Sequence, residues 1–190
     1  MKKIQGKVKG IYISNKEDSF SVPVNSASFT FEGMVGDKHA SINTMLRTKH
    51  PEFKQKIEVR NTRQISLMSV EELSLIAEDI GIPEIKAEWL TTNLLISGIP
   101  HLSQLPPGTR FYFDGGLILY NEGQNFPCKT AGNIILEKYP HIEGIQHQFI
   151  KSALDKRGLI GWVEHPKVLH VGSSVEVDLP PEWQNLWEVE

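Results

Sequence analysis

The sequence is nearly without cysteine: of its 190 residues only Cys128 carries a thiol, so no disulfide can form within the chain. Long apolar runs are missing too. Stretches such as Leu94-Leu95-Ile96 fall far short of the roughly 20 residues that cross a bilayer as a helix. The Met1-Lys2-Lys3 start leads into Ile4 without the apolar centre of a signal peptide. These absences predict a cytoplasmic chain with no membrane segment. An excess of positive charge is lacking as well, since 20 Lys and Arg stand against 23 Asp and Glu for a formal net charge of −3. That balance offers no basic footprint for nucleic acid or for an anionic membrane surface, and neither is expected as a partner. The motifs G-x-G-x-x-G, G-x-x-x-x-G-K-[ST], H-E-x-x-H and G-x-S-x-G do not occur, which removes the common nucleotide, zinc-protease and hydrolase signatures.

What remains is an ordinary globular composition, 39% hydrophobic and 23% charged, which predicts a single domain over residues 1–190 with a conventional core. Residues 3–14 read as a strand bent at Gly6 and Gly10. Residues 27–32 read as another, with Phe29 and Phe31 on one face. Gly33 and Gly36 then punctuate a loop through Asp37, Lys38 and His39, a candidate site. Residues 41–62, with Arg47, Lys49, Lys54, Lys56 and Arg60 against Glu52 and Glu58, show no apolar period and predict a surface excursion, either a functional lid or a solvated charge run.

Beyond a strand at 64–68, Ser69-Val70-Glu71-Glu72 forms a capping box in which the Ser69 hydroxyl and the Glu72 carboxylate satisfy helix-start donors. Val70, Leu73, Ile76, Ala77 and Ile80 make the buried stripe of that helix, which Gly81 and Pro83 end. Further strands are expected at 92–97, 110–113, 116–120, 159–164 and 174–179. Two more helices are expected at 130–139 and 144–156, the second turning Ile145, Phe149, Ile150 and Leu154 inward. About eight short strands with three helices and no regular β-α-β alternation predict a mainly β fold with peripheral helices, an α+β mixed barrel or folded sheet.

Cys128 stands where the strand-like run ends in Asn125-Phe126-Pro127 and a helix begins. A helix start offers unpaired N–H groups and the positive end of the dipole, and Lys129 adds a cation, so a thiolate is favoured there. The plainer alternative is a buried cysteine acting as a small apolar side chain. The histidines show no ligand spacing, and Asp37 has a turn-forming alternative to any site role.

Taken in order, Gly36-Asp37-Lys38-His39, Asn61-Thr62-Arg63-Gln64-Ile65-Ser66-Leu67, Thr92-Asn93-Leu94, Pro107-Gly108-Thr109-Arg110, Pro127-Cys128 and Arg157-Gly158 resemble the MOSC family, in its small standalone bacterial form. The resemblance implies a MOSC-type mixed β-barrel, a site for the molybdopterin form of the molybdenum cofactor, and an essential cysteine, here Cys128. In some members the matching cysteine carries a persulfide, and in others it ligates molybdenum in reductases of N-hydroxylated compounds. A thiolate suits both roles. For the cofactor's phosphate the resemblance leaves Arg63 and Arg157 first, then Lys38, Arg60 and Lys129, with Asp37, His39 and Asn93 as further contacts. No metal ligand other than Cys128 is expected.

Departures from the family pattern lie beside Asn93, which lacks a preceding acid, and at Gly172-Ser173, where members carry a glycine-acid pair. The leading expectation is a molybdenum-dependent oxidoreductase acting on small N-hydroxylated molecules with a separate electron donor. The alternatives are a sulfur carrier loaded by a separate cysteine desulfurase and a non-catalytic cofactor-binding protein.

Overall fold

A computed structural model describes residues 4–15, 20–46 and 57–184. Thirteen strands are present among them: β1 Ile4–Ile13, β2 Val22–Val24, β3 Ser26–Thr30, β4 Gly33–Met34, β5 Asn43–Met45, β6 Glu58–Arg60, β7 Ile65–Ser69, β8 Leu94–Ser97, β9 Arg110–Phe113, β10 Ile118–Gln124, β11 Leu159–His165, β12 Val168–His170 and β13 Ser174–Asp178. Three α-helices, α1 Val70–Asp79, α2 Lys129–Lys138 and α3 Ile145–Ser152, and two short 3₁₀ turns accompany them. The sequence suggested fewer strands because β2, β4, β5, β6 and β12 are two or three residues long, too short to show an alternation.

Seven strands close a barrel in the order β1-β13-β9-β10-β11-β7-β8 and back to β1, with β2 added at an edge. The strand β1 is long enough to pair with β13 through its first half and with β8 further along, and its register shifts between Val8 and Gly10. That bulge realises the bend expected there, because an extra residue re-aims a strand at a barrel corner. Among the described residues only β7 and β8 run parallel, joined by the crossover through α1.

Alternation sorts the apolar residues into two cores. Val8, Ile11, Ile65, Leu67, Leu94, Ile96, Phe111, Leu119, Leu159 and Val163 fill the barrel. Met68, on the other face of β7, packs with Leu73, Ile76, Ile135, Ile145 and Phe149 beneath the helices. Phe29 is buried as expected, but Phe31 is 55% exposed because β3 stops at Thr30 and the chain turns there. Leu154 is likewise exposed, since α3 ends at Ser152 before the apolar stripe reaches it. Gly33 pairs with Thr30 in a strand, so the loop begins one turn later than the glycine spacing suggests. Residues 43–45 and 58–60 of the expected excursion form the hairpin β5–β6. Arg47, Lys49, Glu52, Lys54 and Lys56 lie outside the described residues.

At the start of α1 the Ser69 hydroxyl accepts from the amides of Glu71 and Glu72, at 3.1 and 3.2 Å. The other half of the capping box does not form. Glu72 turns inward, accepting from the Ser103 amide at 3.0 Å and the Ser103 hydroxyl at 2.6 Å. That hydroxyl in turn accepts from the Gly158 amide at 2.7 Å. A buried carboxylate gains more from two fixed donors than from one exposed helix-start amide, so Glu72 spans from α1 to the turn before β11. Burial pushes its carboxyl above the usual carboxylate range, and the Ser103 donors act against that rise.

Candidate functional site

The site is built where chain segments enter β7, β8 and β11 and where β10 passes into α2. The loop after β4 supplies Asp37, whose carboxylate is buried and has every approach filled by a donor. One oxygen accepts from the Ser14 amide at 2.9 Å and from the Asn93 side-chain amide at 2.8 Å. The other accepts from the His39 amide at 2.9 Å and bonds the His39 ring at Nδ1, 3.0 Å away. Burial alone pushes the Asp37 carboxyl up, but these hydrogen bonds and the His39 ring together hold it below the usual carboxylate range. Asn93 is fixed from its other end, its side-chain oxygen accepting from the Ser66 amide at 2.9 Å and the Ser66 hydroxyl at 3.1 Å. Asp37 is therefore an ionised brace between the loop, β1 and the start of β8.

Beside this brace opens a cavity of about 430 Å³. Seven of the nine residues proposed from sequence line it: Lys38, His39, Arg60, Arg63, Asn93, Cys128 and Arg157. Asp37 lies behind the wall, holding His39 and Asn93. Lys129 does not line the cavity, because as the first residue of α2 it is exposed on the helix surface.

Arg157 is the most unusual of the seven. It is buried, its Nη2 donates to the Leu90 carbonyl at 2.8 Å, and its Nη1 lies 3.2 Å from the Met68 sulfur. Among the described residues no carboxylate pairs with it. Burial pushes its pKa down to about 10, while the charge of a Cys128 thiolate acts in the opposite sense. An arginine held this way faces the cavity as uncompensated positive charge, and an anion is the natural complement. Its position is set by Gly158, whose φ of +93° suits glycine, and where any Cβ would overlap the Leu67 carbonyl oxygen.

Cys128 is the N-cap of α2, and it is free and exposed. Its backbone is extended and its carbonyl accepts from the Gly132 amide at 3.0 Å, but its sulfur makes no bond to the first-turn amides. The buried alternative raised by the sequence therefore does not hold. Among the described residues no group of three His, Cys, Asp or Glu side chains could hold a metal ion.

Sequence reasoning passed over the residues that shape the walls. Asn61 donates to the His39 carbonyl at 2.9 Å and accepts from the Arg63 amide at 3.1 Å, fastening two lining segments together. Gln64 donates to the carbonyls of Phe31 and Ser41 and accepts from the Val163 amide at 3.1 Å, fixing the loop to the barrel. Asn61 had a readable signal, since asparagine commonly bonds the backbone two residues on. Gln64 had none. Arg60 rests over the Trp162 ring, 5.8 Å from its centre, which keeps the guanidinium at the cavity wall rather than loose in solvent.

Comparison with known proteins shows the family. The MOSC domain pattern matches residues 54–176. The chain belongs to the MOSC domain family. Over 93% of its length this MOSC domain is 34% identical to YuaD of Bacillus subtilis (strain 168), covering 92% of that protein, which is provisionally named for metal-sulfur cluster biosynthesis. The crystal structure of the Bacillus subtilis YuaD protein superposes with a TM-score of 0.87, covering 93% of this chain and 97% of that one, and it confirms the mainly β barrel with its helices. YiiM from Escherichia coli shares the fold at a TM-score of 0.59 and 14% identity, covering 92% of this chain and 70% of its own. No helix among the described residues of the MOSC domain is long and apolar enough to cross a membrane.

Proposed function

We propose that the cavity binds the molybdopterin form of the molybdenum cofactor and that Cys128 completes the metal's coordination in a reductase of small N-hydroxylated molecules. The observation that carries this reading is the meeting of one free thiol with a buried arginine that has no carboxylate partner among the described residues, on the wall of one cavity. The residues fit the group. A soft thiolate suits molybdenum, and the dithiolene of molybdopterin brings the further sulfur ligands that the protein does not supply. Arg157, Arg63, Arg60 and Lys38 offer the cations an anionic cofactor needs, the arginines binding phosphate oxygens in pairs. When bound, the cofactor would supply two-electron redox chemistry at the metal.

The chain's own residues have distinct tasks in this scheme. Cys128, exposed on the cavity wall, would hold the metal. Arg157 balances the added negative charge from below. Asn93, its side-chain amide engaged by Asp37 and Ser66, would hold the cavity wall in shape rather than bind the ligand itself. Electrons come from a separate donor protein, since the chain carries no flavin or iron–sulfur motif of its own.

The test is molybdenum per chain after expression in cells able to make molybdopterin, followed by turnover of hydroxylamine with reduced viologen. The parent should carry molybdenum, and Cys128→Ser should lose turnover. A parent free of molybdenum contradicts the reading. A sulfur-carrier role is the second reading, favoured by the exposure of Cys128 and by the name of the YuaD relative. It is supported instead if mass spectrometry shows one sulfur atom added to Cys128 after incubation with a cysteine desulfurase.

A further inference from the structure

We propose that His39 is the proton-transfer residue of the cavity, with Asp37 as its positioning residue. The proposal rests on the reductive reading given above. Asp37 has both oxygens surrounded by donors, three of which, the amides of Ser14, His39 and Asn93, can only donate. An ionised carboxylate can only accept, so the contact from His39 Nδ1 at 3.0 Å must be an N–H donating to it. That fixes the tautomer. The neutral ring carries its hydrogen on Nδ1 and leaves a lone pair on Nε2, and the protonated ring gains a transferable hydrogen on Nε2.

Nε2 has no partner among the described residues, the His39 side chain is 41% exposed, and the ring lines the same cavity as Cys128. Most of the other ionisable groups on the wall are unsuited to the task. Lys38 from the same loop, Arg60 and Arg63 from β6 and its exit, Cys128 from the start of α2 and Arg157 from the turn before β11 are the other ionisable groups on the cavity wall. Neither aspartate nor glutamate lines it among the described residues. The guanidinium groups do not release protons in ordinary catalysis, and the thiol is committed to the metal. Imidazole is the side chain that gains and loses a proton near neutral pH, so His39 is suited to the task.

The step balances as R–NH–OH + 2 e⁻ + 2 H⁺ → R–NH₂ + H₂O. The N–O bond breaks and the nitrogen is reduced by two equivalents of a one-electron reductant. The departing hydroxyl oxygen takes the Nε2 proton of His39 and leaves as water. The nitrogen takes the second proton from solvent, and His39 regains its own through the exposed edge of the ring.

Two measurements test this. Nitrogen-15 NMR of the metal-free chain should show His39 with its hydrogen on Nδ1, and Asp37→Asn should shift the ring towards the other tautomer. With hydroxylamine and reduced viologen, His39→Gln should keep its molybdenum content and its KM within about twofold while kcat falls by about 10²–10⁴-fold and its pH profile changes shape. Free imidazole should restore part of the turnover of His39→Ala, as a purely structural role would not allow. A parent ring protonated on Nε2, or a His39→Gln variant with parental kcat and pH profile, overturns the assignment of His39 alone. A parent that lacks molybdenum or turnover overturns the reductive reading and the His39 step together.

Discussion

Replacing Arg157 by methionine should leave the ligand-free protein as stable as the parent or more so, while removing its affinity for anions. The magnitude follows from burial. The fall of the Arg157 pKa from the ordinary arginine range to about 10 corresponds, at about 1.4 kcal/mol per pH unit, to roughly 3 kcal/mol set against the charged form by its surroundings. Methionine removes that penalty and fills much of the same space against Met68. Against this stands the bond to the Leu90 carbonyl, whose loss costs about 1–2 kcal/mol at a cavity wall that water can reach. The balance is a gain of about 1 kcal/mol, or a rise of about 2–4 °C in Tm for a chain of this size. Urea unfolding of both proteins reads the stability, and calorimetric titration with inorganic phosphate reads the affinity. Arg157→Met destabilised by more than about 2 kcal/mol with phosphate affinity unchanged would refute the reasoning. Arg157 would then be a structural clamp on Leu90.

Asp37, held below the ordinary carboxylate range, stabilises the fold at neutral pH, and that contribution is lost as pH falls from the ordinary carboxylate value of 3.8 through its lower folded value. Asp37→Asn should therefore lower stability at pH 7 by about 1–3 kcal/mol, and the urea midpoints of the two proteins should converge as the solution is acidified; parallel curves would contradict this. Glu72 behaves oppositely, since its folded value lies above 4.5 and stability drains as pH rises from 4.5 through that value. Glu72→Gln should flatten that slope, and an unchanged slope in urea titrations would show that Glu72 is not the group responsible. Gly158→Ala should cost about 2 kcal/mol or more, from its positive φ together with overlap on the Leu67 carbonyl, and the shift of Arg157 should weaken phosphate binding at the same time. Normal phosphate affinity in a destabilised Gly158→Ala would separate the glycine from the site.

The barrel was legible where alternation runs over five or more residues, as in β1 and β7, and where glycine marked a bend. It was illegible in the two- and three-residue strands, whose side chains carry no period of their own. At the site, the helix-start position singled out Cys128, while Arg157 and the site role of His39 came only through the order of segments that resembles the MOSC family. The supporting layer could not be read. Glu72 looks like half of a capping box and becomes a buried link to Ser103 and Gly158 only when β11 is brought against β7. Gln64 likewise gains its partners from loops 23 and 33 residues away and from a strand 99 residues on. Contacts of that range leave no local pattern. Lys129 misled for the reverse reason, as adjacency along the chain placed it by Cys128 while the helix turned it outward.

Whether the Cys128 sulfur is a ligand to molybdenum can be read from X-ray absorption at the molybdenum edge. The metal should have one more sulfur neighbour in the parent than in Cys128→Ser. Identical sulfur counts in the two loaded proteins would contradict coordination by Cys128.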